Sequence, residues 1–299
     1  MNVKVEIDWY RHALSCANVM HERGVGGGVR QIGIRDPDLT LRGYQQARAS
    51  RGCIKDFQQN YDIICCSRMC RAIETAVGLF GNLKTKYIYV LPYISEKRRI
   101  FNIDKQNEPQ SKDVARAQAT AFLKWANSFY PEKDVANLIW VEEPSWPQSY
   151  GVPNPDYFYN RVLTTLISKF IERNPEQRTV RVAIVSHGRF IRETLKLRKC
   201  MEDLNWVRRN KKPRYCTSLC CYVPEFTPKY SNANTSCWRE TREFHCKTRG
   251  ICDYSRRTRI DFVYSPEPKG VFDHDLNWRD VVNCPPSVQR LFKDRRLDV

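Results

Sequence analysis

The chain opens with Val3-Lys4-Val5-Glu6-Ile7-Asp8-Trp9-Tyr10-Arg11-His12, in which Val3, Val5, Ile7 and Trp9 are apolar and Lys4, Glu6 and Asp8 separate them. This alternation has the two-residue period of a β-strand whose faces meet different surroundings. Such a strand delivers Arg11 and His12 at its carboxyl end, the edge at which open α/β sheets build their sites. An arginine beside a histidine assigns nothing alone, since most such pairs are solvated or structural. Three later stretches give it meaning.

The first is Asp36-Pro37-Asp38-Leu39-Thr40-Leu41-Arg42-Gly43-Tyr44-Gln45-Gln46-Ala47. Thr40 suits a helix N-cap, and a helix amino terminus turns unpaired N–H groups and positive potential towards an anion. The second, residues 61–76, is an apolar strand running into a helix, with Ser67 and Arg71 near the junction. The third, residues 180–193, repeats the scheme as strand, His187-Gly188, then helix. Three strands therefore bring Arg11 and His12, Arg71, and His187 to one edge of a sheet.

These stretches resemble the motifs of the histidine phosphatase superfamily, the phosphoglycerate mutase-like group. Its Arg-His opening with a downstream Asn is met by Arg11, His12 and Asn18. Its Leu-Thr-x-x-Gly-x-x-Gln-Ala motif is met by Leu39, Thr40, Gly43, Gln46 and Ala47. Its Ser-x-x-x-Arg-Ala-x-x-Thr-Ala motif is met by Ser67, Arg71, Ala72, Thr75 and Ala76, and its His-Gly by His187 and Gly188. The likeness covers about residues 3–223. It implies a three-layer α/β/α sandwich with a largely parallel central sheet, and strands alternating with helices along the chain point the same way.

The resemblance implies chemistry without metal or cofactor. His12 would attack phosphorus and become a phosphohistidine. Arg11, Arg71, Asn18, His187 and Gly188 would surround the phosphoryl oxygens. An acid would protonate the leaving oxygen. Glu96, after the third strand, resembles the superfamily's acid by position, although Lys97, Arg98 and Arg99 follow where glycine and aromatic residues are common. Glu142 and Glu143 are the alternatives. The acid phosphatase and phytase branch usually carries Asp after its second histidine; Gly188 stands there and points to the mutase-like branch. The extended signature of glycolytic mutases around the acid is absent, so a phosphomonoester hydrolase is expected, with a phosphomutase as the alternative. A different class of function, a catalytically weak basic protein that binds nucleic acid or phosphorylated partners, is the third reading.

The sequence has 299 residues, 41% of them hydrophobic, enough for a substantial core, and a formal net charge of +17. Residues 189–214 hold ten Lys or Arg against Glu193, Glu202 and Asp203. Directly after His187, this run would concentrate a polyphosphorylated substrate, or attract nucleic acid without specificity. No apolar run approaches the ~20 residues of a membrane span, and no signal-peptide pattern opens the chain. A soluble intracellular protein, in the cytoplasm, is expected.

Thirteen cysteines are an odd number. Cys65, Cys66, Cys220 and Cys221 fall in apolar strand patterns, so buried thiols in a reducing compartment fit better than a disulfide scaffold. Cys237, His245, Cys246 and Cys252 lie close together, but they lack a Cys-x2-Cys pair, and structural zinc is not expected.

Further helices are expected over 41–60, 71–80, 113–129 and 156–173, and further strands over 87–91 and 217–223. The glycine-rich stretch 24–29 and the proline-punctuated stretch 142–147 read as loops near the site. Residues 1–224 form the expected catalytic domain. Residues 225–299 show no clear periodicity, yet Trp238, Phe262, Val263, Tyr264, Phe272 and Trp278 make an extension that packs on the core.

Overall fold

A computed structural model of the chain describes residues 1–23, 34–53, 61–81, 87–96, 105–134, 137–142, 152–195, 215–216, 221–222, 237–247, 252–264 and 276–295. The opening alternation forms β1 (Asn2–Arg11), followed by α1 (Cys16–Arg23) and α2 (Leu41–Cys53). Then come β2 (Ile63–Ser67), α3 (Cys70–Phe80) and β3 (Tyr87–Leu91). The helix α4 (Lys112–Ala126) leads to β4 (Asn137–Trp140), a strand with no clear signal in the sequence. A short turn of helix (Pro155–Tyr157) and a π-helical stretch (Phe158–Leu163) run into α5 (Thr164–Arg173). Next are β5 (Thr179–Ser186), α6 (Gly188–Thr194), and the two-residue strands β6 (Tyr215–Cys216) and β7 (Cys221–Tyr222).

Two long strands, β8 (Cys237–Cys246) and β9 (Cys252–Tyr264), precede the short helix α7 (Pro286–Gln289). The loss of pattern expected after residue 224 is therefore corrected: much of this stretch is sheet. Its strands are hard to read because charged residues stand inside them and the β8–β9 ladder slips register three times.

The described strands make one sheet in the order β4-β3-β2-β5-β1-β8-β9-β7-β6. From β4 to β1 every pairing is parallel, whereas β8 joins β1 antiparallel. One face buries Val3, Val5, Ile7 and Trp9 of β1 against Phe158, Val162, Leu166 and Ile167 of the π/α5 helix. The other buries Tyr10, Ile64, Cys66 and Val185 against α2, α3 and α4. This is the α/β/α sandwich, and full burial of both faces explains why β2 and β5 read as near-continuous apolar runs.

A third cluster joins Leu14, Cys16, Val19 and Met20 to Leu276, Val281, Val288 and Phe292 of the C-terminal segment. There Cys16 is disulfide-bonded to Cys284, and Cys246 to Cys252 across the β8–β9 turn. The reading of the cysteines as reduced thiols fails at these four positions. It holds for Cys65 and Cys66, which are buried and free. No described helix is long and apolar enough to cross a membrane. The glycine-rich stretch 24–29, Cys220, Phe272 and most of the 142–147 loop lie outside the described residues.

Candidate active site

Strands β2, β5 and β1 are neighbours and parallel, with Arg11 beside Ser186 and Cys66 beside Val185, so their carboxyl ends are level. His12 and His187, each the first residue past its strand, are thereby brought together with ring centroids 5.2 Å apart. The backbone N–H of His12 donates to the Ser186 carbonyl at 2.9 Å and locks the two strand ends.

His12 is 4% exposed. Its Nδ1 lies 2.7 Å from the carbonyl oxygen of Ala13. A carbonyl can only accept, so Nδ1 carries the proton and Nε2 keeps its lone pair. Arg71 donates from Nε towards that lone pair at 3.3 Å. Burial, then the Arg71 and Arg11 charges, hold the His12 imidazolium well below the ordinary histidine range, so the ring is neutral.

Arg71 stands in the first turn of α3 and is 3% exposed. Its other donors go to the Gln106 carbonyl (2.9 Å) and Asn107 Oδ1 (2.8 Å). A bidentate contact with a phosphate would thus exchange existing bonds. Thr75, one turn on, donates to the Arg71 carbonyl at 2.6 Å and accepts from Ala13 N–H at 2.9 Å. It fastens α3 to the loop carrying the nucleophile candidate.

The Leu39–Ala47 motif serves the same loop. Thr40 Oγ1 accepts from Gly43 N–H at 2.9 Å, as an N-cap does, and also donates to the Leu14 carbonyl. Gln46 Oε1 accepts from Leu14 N–H at 3.2 Å. A Cβ on Gly43 would strike the Leu14 carbonyl, so only glycine lets α2 approach this closely. The expectation that this helix terminus faces an anion is corrected: it faces the Leu14 backbone and braces the site from behind.

Arg11 ends β1 with its side chain against Gly188, where a Cβ would lie 2.9 Å from Arg11 Nε. Asn18 is half-buried on α1, and its Oδ1 accepts from Ser15 Oγ at 2.9 Å and Ser15 N–H at 3.2 Å, which leaves its amide N–H groups facing away from that bond. His187 occupies the N-cap position of α6 and is fully buried, with Nε2 3.0 Å from Ser67 Oγ. Burial first, then Arg71, His12 and Arg11, hold it neutral as well. Glu96 reaches the same place: its Oε2 accepts from Arg189 N–H at 3.4 Å, two residues past His187.

Glu142 is set apart, on the rim of a cavity of about 160 Å³ lined by Arg68, Lys112, Trp140 and Pro92, and it pairs with Lys112 at 3.4 Å. Glu143 and Lys97–Arg99 lie outside the described residues. So does most of the basic run; within it Arg189 pairs with Glu193 at 2.7 Å, and Arg192 donates to the Gly188 carbonyl.

Three positions of the site carried no role in the sequence reading. Gln106 and Asn107 hold Arg71 but fall in no motif. Asp36 has a positive φ of 37°, is fully buried, and accepts from Cys70 N–H at 3.0 Å at the start of α3; burial pushes its carboxyl up to about 6. Its place just before Leu39-Thr40 was the available signal.

Two buried histidines and two arginines thus stand together at the carboxyl edge of a parallel sheet. The chain belongs to the histidine phosphatase superfamily (branch 1), whose family model matches residues 11–221. Members of that superfamily are phosphatases or mutases. A curated relative, an uncharacterized protein of Acanthamoeba polyphaga mimivirus, is 25% identical over a match that takes in 41% of this chain and 29% of the relative. Among solved structures, the chain is similar to the ecdysone phosphate phosphatase of Bombix mori, at 15% identity and TM-score 0.41, with 92% of this chain and 98% of that one covered. It is also similar to the phosphoserine phosphatase of Entamoeba histolytica, at 17% identity and TM-score 0.35, covering 87% and 98%.

Proposed function

We propose that the protein is a phosphomonoester hydrolase working through a phosphohistidine on His12. The observation that carries this reading is the bond from His12 Nδ1–H to the Ala13 carbonyl, which leaves Nε2 bare among guanidinium donors. The Nε2 lone pair forms the N–P bond as the P–O bond to the leaving alkoxide breaks, and Glu96 supplies the proton that makes it an alcohol. Water, losing a proton to Glu96, then attacks phosphorus, and the N–P bond returns its pair to Nε2. Arg11, Arg71, Asn18, His187 and the Gly188 backbone stabilise the peripheral oxygens, where the charge lies. The basic run from Arg189 onward favours a substrate with more than one phosphate.

The test is phosphate release from a panel of phosphomonoesters with chelator present. Wild type should release phosphate, and His12→Ala should lose at least about 10³-fold, since removing the nucleophile removes the whole covalent route. Acid-labile phosphoprotein without release would indicate a mutase. Neither release nor phosphoprotein would indicate a binding protein. Release undiminished in His12→Ala would sink the proposal.

A further inference from the structure

His187 Nε2 lies 3.0 Å from Ser67 Oγ, while its Nδ1 is buried and meets no hydrogen-bond partner among the described residues. A serine hydroxyl has one hydrogen to give and two lone pairs to offer. One lone pair of Ser67 accepts from Met69 N–H at 3.4 Å, and the next hydroxyl, Ser95 Oγ, stands at 3.5 Å, the outer limit of a hydrogen bond. The single Ser67 hydrogen therefore has two acceptors in reach, Ser95 Oγ at 3.5 Å and His187 Nε2 at 3.0 Å, and the shorter contact is the stronger place for it.

We propose that Ser67 is a positioning residue: by donating to Nε2 it holds neutral His187 with its proton on Nδ1, leaving that N–H unspent for an anionic oxygen bound beside His12. The proposal rests on the phosphohistidine reading for the identity of the anion. It needs no imidazolium, which suits a ring that burial and neighbouring cations keep neutral. The opposite tautomer, with Nε2–H donating to Ser67, would turn a bare lone pair of Nδ1 towards the phosphoryl oxygens and repel them. One serine hydrogen decides the sign of the contact. Both site histidines then share one tautomer, His12 fixed by the Ala13 carbonyl and His187 by Ser67.

The experiment is long-range proton–nitrogen NMR of the histidine rings in the full-length labelled protein, with His12→Asn and His187→Asn used to assign two of its five histidines. Wild-type His187 should show a protonated Nδ1 and a bare Nε2. Ser67→Ala should move a large share of the proton to Nε2, and Ser67→Thr, which keeps the hydroxyl, should restore the wild-type pattern. Inorganic phosphate should bind Ser67→Ala about 10-fold more weakly, the size of one lost hydrogen bond to a charged group. A wild-type proton on Nε2, a tautomer indifferent to Ser67→Ala, or a shifted tautomer with unchanged phosphate affinity each overturns the inference. If Ser67→Ala does not fold, the wild-type spectrum still decides. None of these readouts needs turnover: an inactive protein with Nδ1–H on His187 refutes the hydrolase reading alone, and an active one with Nε2–H refutes only the role of Ser67.

Discussion

A few residues apart on β1, two buried polar clusters follow opposite rules. Towards the C-terminal strands, the fully buried Glu240 accepts from Trp9 Nε1 (3.0 Å), Tyr159 OH (2.7 Å), Arg242 Nε (2.9 Å) and Arg257 Nε. On the opposite face of the sheet Asp8 takes a two-pronged contact from Arg239, 2.8 Å on each oxygen. Burial pushes the Glu240 carboxyl up, but Arg242 and Arg257 overcome it, and the group stays ionised. At the end of the same strand, His12 and His187 are also buried, yet cations surround them, and Nδ1 of His187 has no hydrogen-bond partner among the described residues. Buried polarity by itself does not mark a site. Saturation separates the cluster that holds the fold from the one proposed to bind a ligand.

The largest expected effect tests the saturated cluster. Glu240→Ala strands the buried Arg242, takes a partner from the partly exposed Arg257, and should cost about 3 kcal/mol of unfolding free energy. Activity per folded molecule should be unchanged. A shift in denaturant midpoint worth less than about 1 kcal/mol would erase the distinction between the two clusters. Next in size is the C-terminal staple. Cys284→Ser opens a link spanning 268 residues of sequence and should cost about 2–4 kcal/mol. With a dithiol reductant added to both, which also opens Cys246–Cys252, wild type and variant should melt together. Equal melting temperatures without reductant would show that the C-terminal segment is held by its apolar contacts alone.

The same contrast explains what could be read beforehand. His12, Arg71 and His187 are legible because each sits where a strand gives way to a helix, and Gly43 and Thr75 because they fall in motifs within the helices beside them. Glu96 was legible only by its place after β3. Gln106 and Asn107 could not be read, because they reach Arg71 from a short turn whose sequence says nothing about which strand end it crosses. Strands β8 and β9 were hidden for a different reason. Arg239, Glu240 and Arg242 break the apolar alternation, and only the partners on β1, β9 and the π-helix, Trp9, Arg257 and Tyr159, show why charges can be buried there. Local pattern reveals groups that face solvent or a uniform core. It conceals a charge whose partner lies 231 residues away, as Asp8 does for Arg239.

The smallest expected effect has the opposite sign from the first two. His187→Leu removes a desolvated ring and replaces it with an apolar side chain of similar volume. Activity should vanish, yet stability at neutral pH should be equal or higher by about 1 kcal/mol, the usual trade at a site selected for function. Acid sharpens the difference. The folded His187 stays neutral well below the ordinary value of 6.5, whereas the unfolded chain takes up a proton there. Wild type therefore loses stability as pH falls through 6.5, and the leucine variant is spared this one contribution. The gap between them should widen by up to about 1.4 kcal/mol for each further pH unit, whatever the carboxylates common to both chains do. Denaturant titrations of the two proteins across that range measure it directly. A leucine variant less stable than wild type by 2 kcal/mol or so, with a gap that ignores pH, would place His187 among the structural groups and leave His12 without its opposite number.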